Sequence, residues 1–300
     1  MRRVAVSSAA LMLTGFRIGI ASGTLATTIV SSLSAPHHDR ADLCRSVTNC
    51  GLMDEGSSKV MRLPDFLGIG TQKGGTTYLH GLLQQHPQVY LAHPKELHFF
   101  SLHHHRGLEW YGHHFDAATA DQCCSEVTPY YLFHPLAAER IATALPNVKL
   151  IVLLRDPVER ALSQYFHSKR LGLEPLELEE ALAAEPKRLA DAEAALKRGE
   201  THKSHQQHSY LSRSRYEQQL FRFEKLFTSN QLLTLRSENL FEHPQEIWEQ
   251  VLEFLELDKY PLPRSISRYS GGGNAAIVSP DFRRFLCQRL APTFHWLEQR

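Results

Sequence analysis

The segment GTQKGGTTYL, residues 70 to 79, combines residue types that suit phosphate binding. Lys73 precedes Gly74 and Gly75, and Thr76 and Thr77 follow as the first residues of a predicted helix. Amides at a helix N-terminus bind anions, and the helix dipole favours negative charge there. We therefore expect the amides of residues 74 to 77 to hold one phosphate, while the Lys73 ammonium group extends past it to the group that the phosphate carries.

The order of lysine and glycine also indicates which nucleotide fits. In the triphosphate-binding loop G-x-x-x-x-G-K-[ST], the lysine follows the last glycine and the hydroxyl residue binds magnesium. Here the lysine comes first, an order that favours a nucleotide with a single 5′-phosphate bearing a transferable group. A nucleotide kinase, or another P-loop phosphotransferase, is the main competing hypothesis.

A second candidate anion site is the segment LLRDPVERALSQY, residues 153 to 165. Arg155 ends a predicted strand, Asp156 is placed to cap a helix, and Pro157 takes the first helical position, where a missing amide matters little. The helix amides, the Arg155 guanidinium group and the Ser163 hydroxyl two turns further on could together bind a phosphate dianion. The plainer alternative is that Arg155 only pairs with a neighbouring carboxylate.

Strands and helices alternate around these two segments. Short apolar runs predict strands at 65–70, 89–92, 125–128, 148–155 and 232–236. The fourth of them, VKLIVLLR, has consecutive apolar residues, which is typical of a strand buried on both faces of a parallel sheet. We predict a three-layer α/β fold with a central parallel sheet flanked by helices, and ligands beyond the carboxyl ends of the strands.

Composition narrows the classes of function. The 300 residues are 42% apolar and 22% charged, as is ordinary for a globular chain. A formal net charge of +1 gives no overall attraction to nucleic acid, so anion binding must come from locally placed groups. The five cysteines form no disulfide framework and have no zinc spacing. Histidines at 103–105, 113 and 114 could hold a metal, but a solvated loop is favoured because no regularly spaced ligand partners accompany them.

Residues 1–62 are predicted to be a leader and linker, and residues 63–300 to form the folded domain. The N-terminal segment begins with two arginines after the methionine, contains an apolar run and has no acidic residue before Asp39, as in a signal or transit segment. Arg17 leaves about 13 apolar or small residues before it, where a membrane span needs roughly 20. Three interpretations stay open: a cleaved or disordered leader, a weak signal anchor, and an extension without function.

Three segments in order resemble the sulfotransferase superfamily, which uses 3′-phosphoadenosine 5′-phosphosulfate (PAPS). GTQKGGTTYL is similar to that family's 5′-phosphosulfate loop, and LLRDPVERALSQY to its 3′-phosphate element. KELHFF, residues 95 to 100, further resembles the branch of the heparan sulfate glucosaminyl 3-O-sulfotransferases and N-sulfotransferases. The resemblance runs from about residue 64 to the C-terminus, and it implies a P-loop-like fold with PAPS as co-substrate and no metal.

The resemblance also implies catalytic roles. Lys73 would stabilise the charge on the bridging oxygen as the 3′,5′-bisphosphate leaves, and Glu96 would be the general base that takes the proton of the acceptor. His98 is the other candidate, expected one alternation away on the same face of an extended segment. The plainer alternatives are a salt bridge between Glu96 and Lys95 and a packing role for His98.

Two departures limit what the resemblance implies. Glu126 ends a predicted strand and is expected to contact the acceptor or orient Lys73, with structural capping as the alternative. The 3-O-sulfotransferase pattern has lysine directly after this glutamate, whereas this chain has Val127. The basic C-terminal loop that encloses the nucleotide in those relatives is not evident in YSGGGNAAIVSP, which has only Arg268 nearby. Nucleotide binding therefore carries over, whereas the identity of the acceptor does not.

These observations predict an enzyme that moves a sulfuryl group from PAPS to a hydroxyl or amine of an acceptor, taken to be a carbohydrate. A non-catalytic nucleotide- or glycan-binding relative is a further alternative. No nucleic-acid partner is expected, and membrane association only if the N-terminal segment is an anchor. A bacterial chain is expected in the cytoplasm, and an anchored one in the Golgi or at a membrane. Four aromatic residues could stack on sugar rings or belong to the core: Trp110, Tyr111, Tyr130 and Tyr131.

Overall fold

The computed structural model describes residues 61–264 and 277–300. The predictions for the leader and for Arg268 lie outside the described residues, as do those for nearly all of the linker and most of YSGGGNAAIVSP. Among the helices of the described residues, none has both the length and the apolar character needed to cross a membrane.

Parallel strands form a five-stranded sheet in the described residues, with the order β2-β3-β1-β4-β5. Every predicted strand is confirmed, and the ends differ from the prediction by no more than about two residues, as expected for boundaries set from sequence alone. The strands are β1 Phe66–Gly70, β2 Val89–Leu91, β3 Cys123–Val127, β4 Lys149–Leu154 and β5 Leu232–Arg236.

Helices connect the strands and cover the sheet. Those before β4 are α1 Thr76–Leu83, α2 Gly107–Gly112, α3 Tyr130–Phe133 and α4 Ala137–Ala144. Those between β4 and β5 are α5 Pro157–Arg170, α6 Leu178–Arg188, α7 Ala192–Lys197, α8 Lys203–Gln207 and α9 Tyr216–Glu224. Those after β5 are α10 Ser237–Glu242, α11 Pro244–Leu255, α12 Pro280–Arg289 and α13 Ala291–Glu298.

Side chains of β4 alternate between two separate apolar clusters. Leu150 and Val152 pack into one cluster with residues of α3, α4 and α9. Ile151 and Leu153 pack into the other with residues of α1 and α11. Because successive side chains of a strand point to opposite faces, a strand that is apolar at every position must be covered on both sides. The three-layer α/β prediction is therefore confirmed.

The order of the strands determines where a ligand can bind. β1 pairs with β3 on one side and β4 on the other, so the chain passes to opposite sides of β1 in the two halves of the sheet. In such sheets the crevice forms beyond the carboxyl ends of the two strands at the switch point, here β1 and β4. The loops that follow these strands are the two segments for which sequence predicts anion binding.

Candidate active site

The loop after β1 is tightly packed against the end of β4. Lys73 and Gly75 have φ values of 70° and 94°, in the left-handed region. A Cβ atom on Gly74 would lie 2.7 Å from the Leu153 carbonyl oxygen, so only glycine fits there without a shift. The Thr71 amide donates to that same oxygen at 2.9 Å. The loop therefore folds over the end of β4 before it turns into α1.

The backbone amides differ in their availability. The Gly74 amide donates to the Thr71 carbonyl oxygen at 2.9 Å, inside the loop. The Tyr78 amide is the first to bond back into α1, to the Gly75 carbonyl oxygen at 2.9 Å. The amides of residues 75 to 77 precede it and have no intrahelical acceptor by position. The Gly74 amide is therefore already paired inside the loop, whereas the amides of residues 75 to 77 lack an acceptor within the helix.

Two side chains from distant parts of the chain hold this loop. Arg213 donates to the side-chain oxygen of Gln72, 141 residues away in sequence. The Ser237 hydroxyl donates to the Gly74 carbonyl oxygen, 163 residues away. Sequence reasoning missed both residues, because neither lies in a segment that resembles a binding motif.

The second segment forms the predicted cap. Asp156 precedes α5, and one of its carboxylate oxygens accepts hydrogen bonds from the Val158 and Glu159 amides, both at 2.9 Å. Pro157 is the first residue of the helix, where it leaves no amide unpaired. The prediction of a capped helix that starts at the end of β4 is confirmed.

The structure brings this segment to the first loop. The Arg155 guanidinium group donates to the Lys73 carbonyl oxygen at 3.2 Å. On α5, Ser163, His167 and Arg170 are spaced four and three residues apart, and therefore share one face of the helix. Arg170 contacts His167 Nδ1 at 3.0 Å. The spacing from Ser163 was the signal by which His167 and Arg170 could have been found from the sequence.

Positive charge is concentrated around Lys73. Burial lowers the pKa of Lys73, and the nearby guanidinium groups of Arg170, Arg155 and Arg160 lower it further. Arg160 is fully buried, and its burial lowers its own pKa to about 10. Charges of one sign at close range repel one another, and an anion between them would relieve that repulsion. The crevice is therefore suited to a ligand with several negative charges.

The KELHFF segment forms a turn rather than an extended strand. Glu96 and His98 both have left-handed backbones, with φ of 66° and 55°. The predicted proximity of the two residues is found, at 3.5 Å between a Glu96 oxygen and His98 Nε2, but the predicted alternation is wrong. The turn, not the period of a strand, brings them together. Lys95 also contacts Glu96 at 3.0 Å, and His98 Nδ1 lies 3.1 Å from the Ser101 hydroxyl.

These contacts determine the ionisation of Glu96. Burial raises the pKa of Glu96, but the hydrogen bond with His98 and the charge of Lys95 outweigh it and lower the pKa to about 2. The carboxylate is therefore ionised throughout the neutral range, and it is a weak base as long as it keeps both contacts.

Glu126 lies in the interior of the protein. From the sequence, it is expected to contact the acceptor or orient Lys73, with structural capping as the alternative. The residue is 2% exposed. Its carboxylate accepts hydrogen bonds from one backbone amide and three hydroxyl groups, those of Leu97, Thr128, Tyr111 and Tyr131. The side chain packs beneath the Glu96–His98 turn. Its burial is tolerated because the four hydrogen bonds offset the cost of removing the carboxylate from water.

The candidate sugar-stacking residues mostly belong to the core. Tyr111 and Tyr131 are 0% exposed and Tyr130 is 5% exposed. The Tyr130 hydroxyl lies 2.7 Å from His205 Nδ1. Trp110 is half-buried and packs at the edge of the same cluster. The core interpretation therefore applies to the three tyrosines.

The histidine-rich segments form short helical turns. Within residues 61–264 and 277–300 no three side chains of histidine, cysteine, aspartate or glutamate are arranged to hold a metal ion. His104 and His105 are exposed, and His113 pairs with Asp116 at 3.1 Å. These three side chains are solvated, whereas His114 is partly buried and packs against Trp110 with ring centroids 4.7 Å apart.

Comparison with known proteins identifies the family. The model of the sulfotransferase domain matches residues 63–269, so the chain belongs to the sulfotransferase domain family. A solved sulfotransferase from Alicyclobacillus acidocaldarius superposes with a TM-score of 0.66 at 27% identity, over 79% of this chain and 95% of that one. The P-loop-like fold and the family predicted from the motifs are confirmed.

Two characterised relatives show similarity over shorter stretches. The membrane-associated sulfotransferase kil1 of Dictyostelium discoideum is 46% identical over 126 residues, 40% of this chain. The mouse heparan sulfate glucosamine 3-O-sulfotransferase 3A1 is 42% identical over 114 residues, 38% of this chain. The matched part of the chain spans 27% and 28% of these relatives' lengths.

Proposed function

We propose that the protein transfers a sulfuryl group from PAPS to a hydroxyl or amine of a carbohydrate acceptor. The observation that carries this proposal is the concentration of cationic groups around Lys73, where two helices begin beside the carboxyl ends of adjacent strands. A nucleotide with phosphates at both the 3′ and 5′ positions carries matching negative charge. The family and the similarity to a heparan sulfate 3-O-sulfotransferase support the reaction class and a glycan acceptor.

The residues of the two loops fit the two ends of the nucleotide. The amides of residues 75 to 77 and the dipole of α1 would bind the 5′-phosphate. Arg155, Ser163 and the start of α5 would bind the 3′-phosphate, with Arg170 on the same helix face as a further cation. The loop glycines let the backbone approach a phosphate closely, since a Cβ on Gly74 would already collide with β4.

For this reaction, the protein mainly has to position the two reactants and stabilise the charge that develops during transfer. Transfer breaks the bond between sulfur and the bridging oxygen of the 5′-phosphate and forms one between sulfur and the acceptor atom. Lys73 would stabilise the charge that develops on the bridging oxygen. Glu96 would take the acceptor proton, and His98 would hold the carboxylate in place through its 3.5 Å contact.

Binding of the desulfated nucleotide is the first test. We expect adenosine 3′,5′-bisphosphate to bind with equal affinity in EDTA and in magnesium, because the loop offers its own cations. Binding that requires magnesium would instead indicate a phosphotransferase.

Transfer of labelled sulfate from PAPS to a panel of glycans is the second test. Removing Lys73 with Lys73→Ala should reduce kcat by about 10² to 10³-fold, as for the loss of one oxyanion donor. Glu96→Ala should reduce it by about 10² to 10⁴-fold. Lys225→Ala, at an exposed lysine after α9 and outside the two loops, is the matched control and should leave kcat unchanged. Undiminished transfer in both site variants would contradict the assigned roles, and nucleotide binding without any transfer would indicate a non-catalytic binder.

A further inference from the structure

The buried carboxylate of Glu126 accepts four hydrogen bonds. One oxygen accepts from the Tyr111 and Tyr131 hydroxyls, at 2.7 and 2.6 Å. The other accepts from the Thr128 hydroxyl at 2.6 Å and from the Leu97 amide at 3.2 Å. Leu97 is the residue between Glu96 and His98, so this carboxylate is bonded directly to the backbone of the candidate catalytic turn.

Two of those hydroxyls also accept a hydrogen bond from a backbone amide of the same segment. The His98 amide donates to the Thr128 hydroxyl at 3.4 Å, which in turn donates to Glu126. The Phe100 amide donates to the Tyr131 hydroxyl at 3.3 Å, which also donates to Glu126. The amides of residues 97, 98 and 100 therefore all end, directly or through one hydroxyl, on a single carboxylate.

These amides hold a backbone conformation that residues other than glycine seldom adopt. Residues on both sides of Leu97 have positive φ, at Glu96 and His98. A non-glycine residue stays in that region only where its surroundings hold it there. Both oxygens of Glu126 accept from donors that belong to this turn or hold one of its amides, so the side chain is suited to that task.

We propose that Glu126 is a positioning residue that fixes the turn carrying Glu96 and His98, and that Thr128 relays this effect to His98. The inference rests on the proposed function, in which Glu96 takes the proton of the acceptor. It explains why a carboxylate is buried with no cation among its four hydrogen-bonding partners. It also differs from acceptor contact, because Glu126 reaches the site only through the backbone.

Substitution of Glu126 itself would leave four buried donors unpaired and unfold much of the site. Thr128→Val and Tyr111→Phe are therefore the informative pair. Each removes one hydroxyl that donates to the carboxylate, but only Thr128 also holds an amide of the turn among the described hydrogen bonds. Tyr111→Phe loses one buried hydrogen bond and Thr128→Val loses two, the second being the long 3.4 Å contact from the His98 amide, so Thr128→Val should lose slightly more thermal stability.

Kinetics separate the two variants. With PAPS and a glycan that the wild type sulfates, Thr128→Val should lower kcat by about 10 to 100-fold, because a displaced base loses much of its effect. Tyr111→Phe should keep kcat within about threefold, since the amide contacts of the turn remain. Both should bind adenosine 3′,5′-bisphosphate as the wild type does, because neither residue lies in the nucleotide loops. Equal losses of kcat in the two variants would overturn the proposal.

Two further measurements distinguish positioning from general destabilisation. Freed from His98, Glu96 would lose the hydrogen bond that lowers its pKa, so the acidic limb of kcat/KM should move to higher pH in Thr128→Val only. The His98 backbone amide resonance should also shift in Thr128→Val and stay in place in Tyr111→Phe. If the wild type transfers no sulfate, the proposed function fails, and the amide resonance alone decides whether the turn is held. An unmoved resonance would overturn the inference.

Discussion

The surroundings of Lys73 disfavour its charged form. It is partly buried, and three arginines surround it closely enough to lower its pKa. In the apo protein this arrangement favours loss of the proton, whereas an anion at the crevice favours keeping it. The residue is therefore coupled electrostatically to whatever binds in front of it.

This coupling predicts that affinity for adenosine 3′,5′-bisphosphate depends on pH. The pKa of Lys73 lies below its usual 10.5 in the free protein and should rise when the nucleotide binds. At a pH between the pKa of Lys73 in the free protein and its pKa in the complex, nucleotide binding takes up a proton. Affinity should therefore fall as the pH rises from the first of these pKa values to the second. Calorimetry in buffers of different ionisation enthalpy measures the proton directly.

Lys73→Met should remove this proton uptake, while Lys225→Met, at an exposed lysine, should retain it. Uptake that persists in Lys73→Met would assign the titration to another group.

At the scale of elements, the start of α5 matters most. Its cap, Asp156, holds the first turn next to Arg155, and Ser163 lies further along the same helix. Burial raises the pKa of Asp156, and the bonds from the Glu159 and Val158 amides oppose that rise. A helix that frays at this end would move its cationic face away from the crevice.

We expect Asp156→Ala to lower the free energy of unfolding by about 1 kcal/mol, the usual contribution of a helix cap. It should also weaken binding of adenosine 3′,5′-bisphosphate, because α5 supplies part of the proposed site. Thr228→Ala is the matched control: it removes the capping box before Ser229–Gln231, a short turn that leads into β5. That variant should lose stability without losing nucleotide affinity. Equal affinity in both variants, measured by calorimetry, would contradict the role of α5.

At the scale of the whole molecule, buried histidines limit the pH range of the fold. Burial lowers the pKa of His205 to about 2 and that of His134 to about 3, and neighbouring arginines add to both shifts. The unfolded chain binds protons at these positions below its usual histidine pKa of 6.5, whereas the folded chain does not. Stability should therefore be retained above pH 6.5 and decrease as the pH falls from there toward 3.

His205→Gln should flatten this dependence. One proton fewer bound on unfolding corresponds to about 1.4 kcal/mol per pH unit well below 6.5. Urea unfolding at pH 7, 6 and 5 measures the slope, with His105→Gln as the control at an exposed histidine. A slope that His205→Gln leaves unchanged would show that other groups cause the acid sensitivity.

Local patterns in the sequence determined the sheet, the capped helix and the family. Apolar runs predict strands because burial of both faces demands them, and Asp156 with Pro157 predicts a helix start because its first amides need partners. The loop of Lys73 also predicts anion binding, since its glycines and the following helix are contiguous in the chain. These features depend on residues that are close together in the chain, so they can be predicted from the sequence.

Only the tertiary structure decided which residues hold the site. The arginine that fixes Gln72 comes from 141 residues away, and no local pattern marks Arg213 for that contact. Glu96 and His98 meet through a turn with positive φ, which a period of two could not predict. Glu126 lies beneath that turn because burial and four donors decide its orientation. Hydrogen bonds between distant segments form only after the sheet has brought those segments together.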